Sequence, residues 1–408
     1  MDRLRKAFQQ PEVIAPALRR EAASLLQRLQ LVMDQYVAVH ERRRGGQTRV
    51  FSFDVHPSVI ADLAIGWKRF DSRIVNWNIS SHNWVHRKVQ IAPDPVQVVN
   101  AYTWKDLDEN LIDAFRAKYS RFLKTFDGFI VDYPLAFSQI YDGLERPILA
   151  VAATRYEFPY SLRSRAWHGL DKCLRKLHAE GLLTLAANNK GDRDYLRHFT
   201  DLSPVLVPSV CDYHELSWSP PATNLRVVFS RNAKVEGLIT GAAGSTWTSY
   251  SGVFGQRFTW RELRQCAEIF YVPYNVSTMM LFELATAGIP VTVPSRGLLR
   301  NWRQQGLDVL AELSFFQVLD AGTQHLAIDD PNNYSSPRFY DWWLDRADFY
   351  DSNLMPNVRV VDSIAEAVLV PHPVTRYAAE DWNSMIQERN EALRLGRHRL
   401  LQAYLNQL

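Results

Sequence analysis

Cysteine is scarce in this chain: Cys173, Cys211 and Cys266 are all that its 408 residues contain. An odd number of scattered thiols argues against a disulfide framework and offers no zinc-ligand spacing. Long apolar runs are missing as well, none reaching the roughly 18 residues that a spanning helix needs. The opening "MDRLRKAFQQ" does not read as a signal peptide, so the chain is expected to stay in the cytoplasm where it is made. Internal repeats and low-complexity tracts are absent. A large charge of one sign is absent too, the formal net charge being +3.

What is present is an ordinary globular composition, 47% hydrophobic and 22% charged, in a chain long enough for two or three domains. The charge is uneven. Residues 1–49 carry ten Lys/Arg against five Asp/Glu, ending in "ERRRGGQTR". That cluster reads as a solvated helix end before a Gly-Gly turn, or as a contact for an anionic membrane surface. Nucleic acid is not expected as a partner; binding there would weaken steeply with salt.

Ile14, Leu18, Leu25, Leu29, Met33 and Val37 recur at helical spacing, which predicts an amphipathic helix over 12–42 and an amino-terminal segment 1–44. From 45 to 215, six apolar strands alternate with helical stretches: "RVFSFD", "RIVNWNISSH", "DGFIVDYP", "PILAVAAT", "LLTLAANN" and "SPVLVPSVC". Such alternation predicts a doubly wound parallel sheet. A Ser/Pro-rich linker, "HELSWSPPATN", precedes a second alternating half over 216–380, with strands expected at "LRVVFS", "SGVFG", "AEIFYVPY", "IPVTVPS" and "VRVVDS". The aromatic, Asn/Pro-rich stretch 330–356 is expected as a surface excursion packed on that sheet rather than a separate domain. Residues 381–408 form a closing helix.

In the second half, "YNVSTMMLFELATAGIPVTVPS" gives strand, polar turn, helix, Gly288 and strand, one β-α-β unit. A helix start at Ser277-Thr278 would carry about half a positive charge and free N–H groups at the carboxyl edge of the sheet, where anions bind. "VVFSRNAK" sets Ser230, Arg231 and Lys234 after the first strand of this half, at the same edge. Two cations beside a helix terminus suit a diphosphate. Glu283, on the second turn, is within reach of a ribose attached to it.

These residues resemble the GT-B glycosyltransferase superfamily. "SRNAK" stands where that family's carboxyl-terminal domain has an Arg and Lys after its first strand. "LFELATAGIPV" stands where its Glu-containing helix runs into Gly-x-Pro. The resemblance covers residues 225–295 well and the first half only as architecture. It implies two Rossmann-like domains facing a central cleft, a nucleotide-sugar donor as substrate, and no cofactor or catalytic metal. One large retaining branch has a second glutamate eight residues before the first. Here that position is Asn275, which tilts the expectation towards inversion.

The acceptor side is then the first half, and a base there must reach a hydroxyl proton. Asp54 and His56, in the turn after the first strand, are the catalytic candidates. His82, Asp132, Arg155 and Glu157 also follow strands and line the expected acceptor cleft, although Arg155 and Glu157 also suit pairing with each other. Asp192 and Asp194 in "GDRD" are read as helix-start acids rather than a metal pair. The reading is a glycosyltransferase acting on a glycan or lipid-linked glycan in bacterial-type surface polysaccharide synthesis. The alternatives are a nucleotide-sugar epimerase of the same fold and a non-catalytic nucleotide-sugar-binding protein.

Overall fold

The computed structural model describes residues 47–79, 98–160, 164–255, 258–310, 326–370 and 372–408. The helix expected over 12–42, the Arg42–Arg44 cluster and His82 lie outside the described residues. Two sheets organise the rest. The first has strands β1 (Thr48–Asp54), β2 (Ser72–Asn78), β3 (Gly128–Val131), β4 (Ile148–Ala152), β5 (Leu183–Ala187) and β6 (Val205–Leu206). All pair in parallel in the order β2-β1-β3-β4-β5-β6. The second has β7 (Arg226–Phe229), β8 (Trp247–Ser249), β9 (Glu268–Tyr271), β10 (Val291–Pro294) and β11 (Val358–Val361), parallel in the order β11-β10-β9-β7-β8.

Both sheets are covered on both faces, which is why their strands read as near-continuous apolar runs. In β1, Phe51 and Phe53 point into a large aromatic core with Trp77, Phe115 and Phe122. Val50 points the other way, against Ile60, Trp67 and Leu401. The helices of two turns or more are α1 (Pro57–Trp67), α2 (Glu109–Leu123), α3 (Arg165–Ala179), α4 (Lys190–Thr200), α5 (Ala233–Thr240), α6 (Met279–Ala287), α7 (Arg296–Gln304) and α8 (Ala379–Leu405). The two-domain, Rossmann-like α/β architecture is the expected one, and the six strands of the first sheet fall in the six expected runs.

The second sheet departs at one point. "SGVFG" is not a strand: Tyr250–Phe254 is a short helix, and the edge strand is the preceding Trp247–Ser249. The stretch lacks the β-branched or alternating pattern a strand needs, with one Val between two glycines. Gly288 ends α6 in the left-handed region at φ 74°, as expected of a C-terminal glycine, and a Cβ there would sit 3.2 Å from Ile386.

The stretch 330–356 packs against that sheet: Asn332, Phe339, Trp343 and Phe349 are buried, and Tyr350 Oη donates to the Pro294 carbonyl of β10 at 2.8 Å. Helix α8 ties the two halves together. Its first part bonds the second domain, Trp382 Nε1 to the Gly288 carbonyl at 2.8 Å. Its last part bonds the first, Arg397 to Asp62 at 2.6 Å and Tyr404 Oη to the Phe129 carbonyl at 2.9 Å. Among the described residues no helix is long and apolar enough to cross a membrane.

Candidate active site

In each sheet the chain reverses its direction of strand addition once, between β1 and β3 in the first and between β7 and β9 in the second. Crevices open at such points, at the carboxyl ends of the strands. The two carboxyl edges face each other. Arg155, after β4, points Nη1 at Asn275 Oδ1 after β9, at 3.5 Å. Asn188, after β5, lies 3.9 Å from the Met279 sulfur at the start of α6. Beside these, Arg346 Nε meets Asp194 at 2.8 Å, His198 meets Asp330 at 3.2 Å, and Lys190 pairs with Asp351.

On the second-domain side, Ser230 turns the chain out of β7. Its hydroxyl accepts from the Asn232 amide at 3.0 Å. Asn232 caps α5, accepting from the amides of Lys234 and Val235 at 3.1 and 3.2 Å. Arg231 and Lys234 are both exposed at this helix start. The Arg231 guanidinium lies 3.3 Å from the centroid of the Tyr274 ring, which follows β9. The contact thus spans the switch point and fixes the cation there.

The start of α6 differs from the expectation. Thr278 is its N-cap, and the hydroxyl is taken up by the Leu281 amide at 3.4 Å and by Tyr271 Oη at 2.9 Å. Ser277 faces the buried carboxyl of Asp348. Burial pushes that carboxyl up to about 7, against the pull of the Ser277 hydroxyl and the Lys190 backbone amide. An acid of the protein itself therefore stands at the hydroxyl expected to receive an anion. Glu283 requires a correction as well. It is 4% exposed, and its carboxyl accepts from the hydroxyl of Tyr213, in the segment joining the domains. Burial raises it to about 8. It is not presented at the crevice for a ribose.

On the first-domain side, Asp54 ends β1 fully buried and accepts from the side-chain amides of Asn76 and Asn78 on β2 and from Ser52. Burial raises it to about 7, partly offset by those three hydrogen bonds. A carboxylate so enclosed does not touch a substrate, so the catalytic role expected for Asp54 is not supported by its position. His56 differs: it is half-buried at the first turn of α1, makes no side-chain cap, and lies 5.7 Å from the Tyr133 ring.

Asp132, buried at the end of β3, is held well above the usual carboxylate range by burial and then by Asp54. Arg155 and Glu157 are both buried. Arg155 reaches towards Asn275 across the crevice, while Glu157 accepts from Tyr195 Oη at 2.9 Å and is raised to about 8 by burial. Asp192 and Asp194 lie in the first turns of α4 as expected, Asp192 bonded to the Asn189 cap at 2.6 Å. Among the described residues, no group of three or more His, Cys, Asp or Glu is placed to hold a metal ion.

Sequence reasoning missed Tyr274, Asp348 and Tyr213. Tyr274 carried a legible signal, an aromatic at the end of an apolar strand opposite the Arg231 turn. Asp348 and Tyr213 carried none, because their partners are distant in the chain.

No family model matches the chain, and no curated protein does. Among solved structures it is similar to the glycosyltransferase SnogD from Streptomyces nogalater, at 12% identity and a TM-score of 0.39, over 74% of this chain and 96% of that one. It is also similar to UDP-GlcNAc 2-epimerase from Neisseria meningitidis in a structure bound to UDP-GlcNAc, at 11% identity and a TM-score of 0.37, over 74% of this chain and 97% of that one. Similarity at this level carries no functional argument. The architecture rests on the order of the two parallel sheets and on their facing carboxyl edges.

Proposed function

We propose that this protein is a GT-B-type glycosyltransferase that moves a sugar from a nucleotide-sugar donor to a glycan or lipid-linked glycan. The observation that carries the reading is the exposed Arg231–Lys234 pair at the start of α5, on the switch point of the second sheet and at the edge facing the first domain. Two cations beside a helix N-terminus, one of them held over the Tyr274 ring, offset the charge of a leaving nucleoside diphosphate, and no metal is called for.

In the proposed step His56 takes the proton of an acceptor hydroxyl. The acceptor oxygen bonds to the anomeric carbon as the bond from that carbon to the diphosphate breaks, and the configuration inverts. The half-buried imidazole beside the first switch point supports this role better than the enclosed Asp54 does. Surface polysaccharide synthesis at the inner face of the membrane, with the basic amino-terminal segment touching anionic lipid, completes the proposal.

The test is a panel of radiolabelled nucleotide sugars assayed with and without lipid-linked glycan acceptors, preceded by thermal-shift screening against nucleoside diphosphates. Nucleotides that bind the native state raise its melting temperature. Acceptor-dependent transfer with inverted configuration is the expected result. An isomerised donor with no acceptor consumed would replace the reading with an epimerase, and no nucleotide binding at all would remove it.

A further inference from the structure

A second space lies at the domain junction, away from the crevice and partly open to solvent. A cavity of about 360 Å³ lies where the interdomain segment, the end of α6 and the first half of α8 meet. That is within the roughly 300–1,000 Å³ range of small-molecule sites. Its α8 wall is a single helical face, formed by Asn383, Ile386, Gln387, Asn390 and Arg394 at helical spacing. Opposite stand Asp212, Leu216 and Ser217 of the interdomain segment.

Of the charged lining residues, Arg394 and Asp212 are matched to each other, and the exposed Glu215 lines the space as well. Arg394 forks onto Asp212 at 3.0 and 2.9 Å, Arg397 adds a bond to Asp212 at 3.0 Å, and Arg394 also meets Glu391 at 3.3 Å. The His214 imidazole is held down to about 4 by burial and is neutral, with its Nε2 directed at the Glu283 carbonyl and Nδ1 accepting from the Leu216 amide. An anionic ligand would find the Arg394 guanidinium already committed to Asp212 and Glu391.

Most of the other polar groups of the lining are uncharged. The side chains of Asn383, Gln387 and Ser217 hold no hydrogen bond among the described residues, while Leu216 and Ile386 supply apolar surface between them. Amides offer paired donors and acceptors, the complement of adjacent hydroxyls on a ring whose carbon faces are apolar. We infer that this cavity is a second, non-catalytic site for a neutral saccharide of one or two residues, formed by α8 and the interdomain segment. It stands on the side of α6 opposite its crevice end, since Thr286, near the last turn, lines it.

The inference does not depend on the donor reading, and the experiment separates the two. Glucose, galactose, mannose, N-acetylglucosamine and their common disaccharides are titrated against the full-length protein and followed by saturation-transfer NMR and calorimetry. The same titrations are run on Asn383→Ala, Gln387→Ala and Arg231→Ala variants. Asn383 is half-buried and Gln387 exposed on a long helix, so their truncation leaves the core intact. The expected result is saturable binding of at least one sugar that is weakened about tenfold, equivalent to about 1.4 kcal/mol, in each α8 variant and unchanged in Arg231→Ala. Absence of saturable binding by every sugar overturns the inference. So does binding that the α8 variants leave intact.

Discussion

Asp54 and Asp132 end neighbouring parallel strands in matching register: Ser52 pairs with Ile130, which brings the two carboxyls side by side at the first switch point. Both are fully buried. Asp54 takes up hydrogen bonds from Asn76, Asn78 and Ser52, so it is the better placed of the two to carry charge. Asp132 receives the Tyr133 amide at 2.6 Å, but its Oδ2 has no partner among the described residues. Two adjacent buried carboxyls do not both ionise readily, and one proton stays with the pair at neutral pH.

This has a sign. In the unfolded chain both carboxyls lose their protons near pH 4, whereas in the folded protein Asp54 keeps its proton up to about 7 and Asp132 is held well above the usual carboxylate range. Between those values the folded state binds more protons than the unfolded one, so stability falls as pH rises. Glu157, Glu283 and Asp348, all raised by burial, act in the same direction, while the buried imidazoles of His214 and His372, lowered to about 4, act oppositely below about pH 6.5 but are fewer. Denaturant unfolding is expected to give higher stability at pH 5 than at pH 8. Asp132→Asn, which mimics the protonated acid, should flatten that difference by up to about 1.4 kcal/mol per pH unit. A stability that rises from pH 5 to 8 contradicts the burial argument.

Arg231→Ala and Lys234→Ala are each expected to weaken nucleoside diphosphate binding about tenfold or more, since a charge-assisted hydrogen bond contributes roughly 1.5 to 3 kcal/mol. Both side chains are exposed, so the fold should be unaffected. Tyr274→Ala removes the ring beneath the guanidinium and should give a smaller loss through Arg231 alone. Calorimetric titration with nucleoside diphosphates measures all three. Unchanged affinity in the two cation variants would remove the phosphate assignment.

Catalysis separates His56 from Asp54. Loss of a general base lowers turnover by about a hundred- to ten-thousandfold, so His56→Ala should lose transfer while keeping nucleotide binding. Asp54→Ala should instead unfold more readily. It leaves the amides of half-buried Asn76 and buried Asn78 without their acceptor, at about 1–3 kcal/mol for a fully buried group. Turnover per folded molecule and denaturation midpoints distinguish the two outcomes. Near-normal transfer by His56→Ala places the base elsewhere.

Strands were legible in the sequence because a sheet covered on both faces demands unbroken apolar runs, and turn residues bound each run on either side. "SGVFG" misled because a Val and a Phe between glycines match that pattern in composition but not in length. The cations at 231 and 234 were legible for a related reason: strand, short polar turn and helix fix which edge they occupy. Glu283 was not, since whether a helical carboxylate points to solvent or to a hydroxyl depends on a residue 70 positions away. Which residues of 330–356 are buried was not legible either: its aromatic residues have no clear period, and its polar contacts run, partly exposed, to Asp194, Lys190 and His198 on α4 of the other domain.

The link most exposed to a single substitution is Arg397, which joins α8 to the first domain. Its guanidinium donates to the Asp62 carboxyl at 2.6 Å, to the Asp62 carbonyl at 3.0 Å and to Asp212 at 3.0 Å, with both Arg397 and Asp62 side chains about 5% exposed. Asp62 also accepts the amides of Val210 and Cys211 at 3.1 and 2.6 Å, so one carboxyl fastens α1, the interdomain segment and α8. Removing one partner of a buried ion pair costs about 3–5 kcal/mol because the other charge is left uncompensated. Arg397→Ala should lower stability by that order, and Arg399→Ala, exposed on the same helix, should change it by less than about 0.5 kcal/mol. Asp62→Asn tests the same linkage from the other side, keeping the size of the side chain while weakening its hold on Arg397. Equal denaturation midpoints for Arg397→Ala and Arg399→Ala would mean that α8 is held to the first domain by Leu400, Leu401 and Tyr404 packing alone.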